Sequence, residues 1–242
     1  MREAQRSGGK RTTAPPVTTA AMTGNPDDPS AAGDAAERSS RERLVEAAAV
    51  LFHEEGYHHV SLDRVLREAG VVRSNFYYHF RSKEDLAVAV IDTWLEDLTA
   101  RIVRPALEDT TVGPLRRVRR ILLGLVDDLD STGCRGGCPF GSLANAEAEH
   151  NERFRRKLVE TFDGFAHLLE SLYAAAIASG RLPDRLSAPR LAACTLAVVQ
   201  GSYLLAKTYA GVTPMRLAAE GLLEALEASA ADAPVPQADG AR

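Results

Sequence analysis

The chain has 242 residues, of which 45% are hydrophobic and 26% are charged, and its formal net charge is −4. This composition is ordinary for a globular protein of one or two domains. The chain has no run of ~18 unbroken apolar residues, so a membrane helix is not predicted. The polar start predicts no secretory signal, and three cysteines, an odd number, indicate a reducing cytoplasm rather than a disulfide framework.

Residues 1–38 are rich in Ala, Pro, Thr, Gly and Asp without an apolar period, which predicts a disordered tail. For the basic segment at the start of this tail, the preferred explanation is an inert tail or a true start at Met22. The alternative is that the segment contacts DNA. The basic side chains that suit such contact are Arg2, Arg6, Lys10 and Arg11. Residues 231–242 are predicted to form a second loose tail.

Two short helices are predicted next. Ser39 and Glu42 form a capping box ahead of apolar residues at helical spacing, and Gly56 ends this first helix. Ser61 is suited to cap a second helix, which Gly70 ends by adopting a left-handed backbone conformation.

A third helix is predicted over 72–78, and a fourth begins after Ser82 and continues to about residue 107. Glycine and proline breaks then delimit five further helices, at about 114–131, 139–149, 152–179, 188–209 and 214–229. The nine helices, without a strand pattern or a repeat, predict an all-α chain. We expect a three-helix helix-turn-helix domain at 39–83, here called the head, followed by a larger helical regulatory and dimerisation domain at 84–230.

Residues 72–80 have the two-sided character of a helix that reads DNA. Phe76 and Phe80, four residues apart, predict a buried back. The front would carry Arg73, Ser74, Asn75, Tyr77, Tyr78 and His79, among which Arg73 suits a guanine contact. Lys83 begins the next helix, where free N–H groups and the helix dipole favour phosphate. Small helical cores show the same spacing, so spacing alone leaves DNA binding open.

Three segments within residues 41–88 follow one another in a specific order: Ala69-Gly70-Val71, Tyr77-Tyr78-His79-Phe80 and Ser82-Lys83-Glu84-Asp85-Leu86. This series resembles the TetR family of bacterial one-component repressors. The resemblance implies base contacts by Arg73, Ser74 and Tyr77, and phosphate contacts by Ser61, Asn75, Tyr78, His79 and Lys83. Asp63 departs from the pattern, because some relatives place a base-reading arginine there, and it is left out of the predicted site.

Behind the head, the resemblance implies a dimer formed by the last two helices and a cavity for a small-molecule effector. The segments from Leu191 to Ala206 and from Leu217 to Leu226 have faces suited to a dimer seam, with an intramolecular core as the alternative. The predicted effector-binding residues are Trp94, Cys138, Phe140, Phe165 and Tyr203, with Phe154, Phe162 and Tyr173 as further possible lining. Each of them is also compatible with an ordinary core position.

Cys138 precedes Pro139 at the start of a predicted helix, where a thiolate is stabilised and its reactivity rises. The surrounding Gly-Cys-Pro-x-Gly segment resembles that of a subgroup in which a cysteine senses electrophiles or oxidants. The alternative is a small apolar residue in a tight helix junction. Cys134, Cys138 and His150 supply too few ligands at unsuitable spacing for zinc, so neither a metal nor another cofactor is predicted.

The sequence contains no nucleophile–base pair, phosphate-binding loop or cofactor motif, so an enzyme is not predicted. A helical adaptor without DNA affinity would leave the head unexplained. We therefore predict a repressor that binds a palindromic operator in double-stranded DNA as a homodimer and is released by a small-molecule or electrophile effector. The effector, the operator and the choice between repression and activation stay open.

Overall fold

The computed structural model describes residues 29–231, and no strand occurs among them. This agrees with the all-α prediction. The basic side chains near the start, Met22 and residues 232–242 lie outside the described residues. Among the described residues, those from 39 to 231 belong to one compact unit, so the predicted division between head and regulatory domain stays a prediction.

Three helices form the head: α1 (Pro29–Glu54), α2 (Leu62–Ala69) and α3 (Arg73–His79). The predicted start of the first helix at Ser39 is wrong, since α1 already includes residues 29–38. These residues contain four alanines, which have the highest helix propensity. The helix therefore extends past a serine that by itself is a good N-cap.

The fourth predicted helix is one continuous helical stretch with an irregular middle. It consists of α4 (Lys83–Leu98), a π-helical turn (Thr99–Val103) and α5 (Arg104–Glu108). Its end confirms the prediction, whereas the π turn was not predicted. If this stretch is counted as one helix, the described part of the chain has the nine helices that the sequence predicts.

Five helices follow, and their bounds agree with the prediction to within about two residues. They are α6 (Pro114–Ser131), α7 (Pro139–Glu147), α8 (Glu152–Ala178), α9 (Ala188–Tyr209) and α10 (Thr213–Ala231). Helix α8 packs against α6 and α9, and α9 also packs against α10. One buried apolar cluster extends from the head into these helices.

Helix α9 is long and apolar enough, by length and composition alone, to cross a membrane. It is equally typical of a helix in a protein interior, and here it packs between α8 and α10. The hydroxyl groups of Thr195 on α9 and Tyr173 on α8 are hydrogen-bonded at 2.7 Å inside the core. Packing thus covers one side of α9, and about a third of its most apolar stretch is buried (33%).

Candidate nucleic-acid interface

The turn between α2 and α3 has the geometry predicted from the sequence. Ser61 caps α2, because its hydroxyl accepts a hydrogen bond from the backbone N–H of Arg64 at 3.2 Å. Gly70 ends the helix with φ = +61°, a left-handed conformation that favours glycine. The Val71 N–H then donates to the Leu66 carbonyl at 3.0 Å. This closed turn fixes the direction in which α3 leaves α2.

Helix α3 is buried on one side and exposed on the other, as predicted. Phe76 is fully buried, and its ring centroid lies 5.8 Å from that of Phe80, which is also buried. Tyr77 and Tyr78 are 54% and 69% exposed. The other front residues are Arg73, Ser74 and Asn75, which are exposed, and His79, which is half-buried. The front of α3 is therefore a polar and aromatic surface without cover from the described chain.

Arg73, predicted to read a base, is bonded to a neighbour on this surface. Its Nη2 atom donates to Oδ1 of Asp63 on α2. This bond first, and then the neighbouring Tyr77 side chain, raise the pKa of the guanidinium. Asp63 was left out of the predicted site because it departs from the family pattern, and its contact with Arg73 joins two helices and leaves no local pattern in the sequence.

Lys83 is the one predicted contact residue whose side chain turns inward. Its Nζ atom donates to the carbonyl oxygen of Tyr57 at 2.5 Å and lies 4.0 Å from the centroid of the Tyr57 ring. Burial lowers the pKa of this ammonium, although the negative charge of Glu147 opposes the shift. A carbonyl and a ring face compensate its partial burial, and the predicted contact of Lys83 with a phosphate stays a prediction. Lys83 braces the turn after α1.

Two histidines that the sequence analysis did not single out connect the head with helix α7. The Nε2 N–H of His53 donates to the carbonyl oxygen of Gly137, just before α7, at 2.9 Å. At the other end of α7, Nε2 of His58 lies 2.9 Å from Oε1 of Glu147. The sequence gives no local signal for these contacts, because more than eighty residues separate the partners.

Glu147 is a buried carboxylate at this junction, with a side chain only 7% exposed. Burial first, and then the charges of Glu147 and Glu84, raise the pKa of Tyr57 to about 12. The Tyr57 ring also packs edge-on against Phe154 of α8, at a centroid distance of 5.2 Å. An aromatic contact and the close approach of His58 to Glu147 thus hold the head against α7 and α8.

Cys138 caps helix α7, and its sulfur accepts a hydrogen bond from the Gly141 N–H at 3.4 Å. The side chain is buried, and burial raises the pKa of the thiol, although the Gly141 N–H, the Gln200 side chain and the Phe140 N–H favour the thiolate. The predicted thiolate stabilisation is therefore outweighed in this structure. No group of His, Cys, Asp and Glu side chains among the described residues is arranged to hold a metal ion.

The predicted effector residues lie close together in the interior. The ring centroid of Phe140 is 6.2 Å from that of Trp94 and 5.8 Å from that of Phe165. Burial, and then the neighbouring Cys138, raise the pKa of Tyr203. The described part of the chain also has two surface clefts of about 430 and 490 Å³, and neither of them is lined by a predicted effector residue.

The outer face formed by α9 and α10 carries large apolar side chains in contact with solvent. Leu204 and Leu217 are each 64% exposed, and Tyr209 is 73% exposed. One of the two clefts, lined in part by Leu205 and Pro214, lies on this face. Large exposed apolar patches are typical of protein–protein contacts. We call this surface the α9–α10 face.

Two family models match the chain. Residues 44–90, which include α2 and α3, match the model described as bacterial regulatory proteins, tetR family. Residues 114–222 match a model described as tetracyclin repressor-like, C-terminal domain. The Gly-Cys-Pro-x-Gly subgroup is not identified by either match.

Individual relatives agree with these models. The chain is 28% identical to the transcriptional regulator AcuR of Cereibacter sphaeroides over 153 residues, which cover 61% of this chain and 69% of the relative. It is 27% identical to the transcriptional repressor DhaR of Mycobacterium sp. over 69% of this chain and 82% of the relative. A crystal structure of regulatory protein TetR from Rhodobacter sphaeroides superposes with a TM-score of 0.70 at 25% identity, over 76% of this chain and 97% of that one.

Proposed function

Because the chain belongs to the TetR family of DNA-binding transcriptional regulators, which are not enzymes, we propose that it is a homodimeric repressor of a palindromic operator, released by a small-molecule or electrophile effector. The observation that carries the DNA-reading part is the two-sided α3, with Phe76 buried and the tyrosines beside it exposed. Bacterial operator DNA is cytoplasmic, and the protein is proposed to act there.

In this proposal α3 enters the major groove. Arg73, Ser74 and Tyr77 approach base edges, whereas Ser61, Asn75, Tyr78, His79 and Lys83 contact phosphates. Lys83, which bonds the Tyr57 carbonyl in the structure, exchanges that contact for a phosphate. A major groove of ~12 Å accommodates a single helix, and the short α3, of 7 residues, fits it.

The α9–α10 face supports the proposal of a homodimer. A twofold pair of heads reads two half-sites about 34–36 Å apart, which a single head cannot do. Leu204 and Leu217 lose their contact with solvent if two copies join through this face. Leu204→Glu should therefore produce monomers in size-exclusion chromatography with light scattering and weaken operator binding. Val159→Glu, at an exposed valine on α8, is the matched control and should leave the dimer intact.

The effector is proposed to bind at the cluster of Trp94, Phe140 and Phe165, with Cys138 and Tyr203 beside it, and thereby to release the protein from DNA. These side chains are packed against one another, so a ligand would have to separate them and thereby displace α7. A differential affinity of about 1 to 3 kcal/mol for the two head arrangements is enough for a useful switch. Helix α4 is clamped to α8 by Asp85–Arg153 and Asp92–Lys157, and it transmits the displacement toward the head.

The test of DNA binding begins with selection of random DNA by the full-length protein, followed by fluorescence anisotropy with the selected site. Arg73→Ala should weaken binding to that site about tenfold or more. Arg116→Ala removes an equal charge from the exposed start of α6 and should change affinity little. Equal affinity for all three proteins would contradict the proposed use of α3. A reporter gene behind the selected site distinguishes repression from activation.

The electrophile alternative is tested separately at Cys138. Cys138→Ser should keep operator binding and lose release by an alkylating agent such as N-ethylmaleimide. Cys194→Ser, at the exposed cysteine on α9, controls for reaction elsewhere. Unchanged release of the Cys138 variant would leave a noncovalent small molecule as the proposed effector.

A further inference from the structure

The exposed surface of the head carries a carboxylate beside the side chain proposed to read a base. Asp63, in the first turn of α2, bonds Arg73, the first residue of α3. Both side chains are exposed, at 71% and 53%, so neither belongs to the core. Tyr77 lies one helical turn beyond Arg73 on the same side of α3, and its side chain also raises the pKa of that guanidinium. We call this set the Asp63–Arg73–Tyr77 triad.

The triad has little value for folding. Exposed ion pairs contribute only slightly to stability, because water screens them and ordering long side chains opposes them. A more specific consequence concerns the conformational freedom of Arg73. A free arginine loses rotamer entropy when it binds a base, whereas a guanidinium already bonded to Asp63 has lost part of that entropy before DNA arrives.

Orientation matters because the guanidinium is planar. It has five N–H donors in a fixed fork, and one of them, on Nη2, is directed to Oδ1 of Asp63. The remaining donors can meet the two acceptors O6 and N7 that guanine presents in the major groove. Adenine presents an amino donor next to N7. An oriented guanidinium would face that donor with its own N–H groups, so adenine binds less well than guanine. A freely rotating arginine discriminates less, since it can turn toward a phosphate instead.

We propose that Asp63 is a specificity-determining residue, which orients Arg73 to read a guanine in each half-site. This inference rests on the proposed function, since it requires that α3 enters the major groove. The carboxylate also brings a negative charge toward the phosphates, which weakens binding to DNA of any sequence. Asp63 therefore raises sequence discrimination and lowers overall affinity.

The experiment measures base preference in the full-length protein. Operators carrying each of the four bases at every position of the selected half-site are titrated by anisotropy with the unmodified protein and its variants. At the position where Arg73→Ala removes the base preference, the unmodified protein should prefer guanine about tenfold or more. Asp63→Ala should reduce this preference to about threefold or less, with equal or higher affinity for unrelated DNA.

Three further variants make the result specific. Asp63→Asn keeps an acceptor oxygen and should retain most of the guanine preference. Asp63→Ser, whose short hydroxyl cannot take the place of the carboxylate, should lose it as Asp63→Ala does. Glu68→Ala removes the same charge from an exposed position of α2 that is not a partner of Arg73, and it should leave the preference unchanged.

The outcomes separate this inference from the proposed function. If Asp63→Ala and Asp63→Ser keep the full guanine preference while Arg73→Ala loses it, the role of Asp63 is refuted and α3 still reads DNA. If Arg73→Ala keeps both affinity and preference, the base contact itself is refuted and the inference falls with it. A loss of preference in Glu68→Ala equal to that in Asp63→Ala would show a general charge effect and also refute the inference.

Discussion

Replacement of His58 by alanine tests whether the junction between head and α7 depends on the His58–Glu147 pair. The change removes an imidazole nitrogen that lies 2.9 Å from a carboxylate whose side chain is 7% exposed. Because Oε1 of Glu147 makes no hydrogen bond of good geometry here, removing His58 costs no more than the ~1–3 kcal/mol of leaving a buried polar group unpaired. Because the His58 side chain is itself 62% exposed, water reaches one side of the pair, and we expect about 1–2 kcal/mol.

Urea unfolding at neutral pH measures this loss, and the single tryptophan is a suitable probe. The ring centroid of Trp94 lies 6.2 Å from that of His53 in the head and 6.2 Å from that of Phe140 in α7. Its fluorescence therefore reports on the junction as well as on global unfolding. His167→Ala, at an exposed position of α8, should leave the midpoint unchanged.

A double-mutant cycle isolates the pair. Glu147→Gln keeps the shape of the side chain and removes its charge, so His58→Ala should cost less free energy of unfolding in that background than in the unmodified protein. A coupling energy of about 0.5 kcal/mol or more is expected for residues in contact. If the free-energy changes of the two substitutions are strictly additive, the carboxylate of Glu147 does not interact with His58 and the prediction is wrong.

Three further predictions concern the core, the π turn and the α4–α8 contact. Phe76→Ala should lower the free energy of unfolding in urea by about 3–5 kcal/mol, and a value near zero would contradict full burial. In Gly124→Ala the new methyl would lie 2.8 Å from Cγ2 of Ile102, so a loss of about 1–3 kcal/mol is expected by calorimetry, and an unchanged Tm would refute it. The bond from Arg153 lowers the pKa of Asp85, so its stabilisation is present above the ordinary aspartate pKa of ~3.9 and is lost as the pH falls through the folded pKa. Urea titrations should show Arg153→Ala less stable at neutral pH, and the difference should shrink as the pH falls below the ordinary aspartate pKa of ~3.9.

The sequence predicts most helix bounds well, because local chemistry sets them. Ser61 and Ser82 each accept a backbone hydrogen bond at a helix start. Pro114 and Pro139 begin α6 and α7, where a missing N–H is not needed. Each of these signals lies within four residues of the helix end that it determines, so the local sequence is sufficient to predict that end.

The features that sequence reasoning missed depend on residues far apart in the chain. Lys83 turns inward because a carbonyl and an aromatic ring of Tyr57 lie there, and no local pattern announces them. Asp63 acquires its partner only when α2 and α3 cross, ten residues later in the chain. The predicted start of α1 was wrong for another reason. An alanine-rich segment competes with a good capping residue, and the sequence does not show which of the two signals is stronger.

The head is connected to the regulatory helices both along the chain and through contacts in space. Helix α4 is the connection along the chain. Helix α7 is a second route, and its two ends are reached by His53 and His58. Because Phe140 belongs to α7 and packs against Trp94 of α4, a ligand that separates these rings, as proposed, would change both routes at once. In the proposed dimer, the head of one copy would then shift with respect to the head of the other without a bend in α4, since contacts that oppose the shift lie at α7.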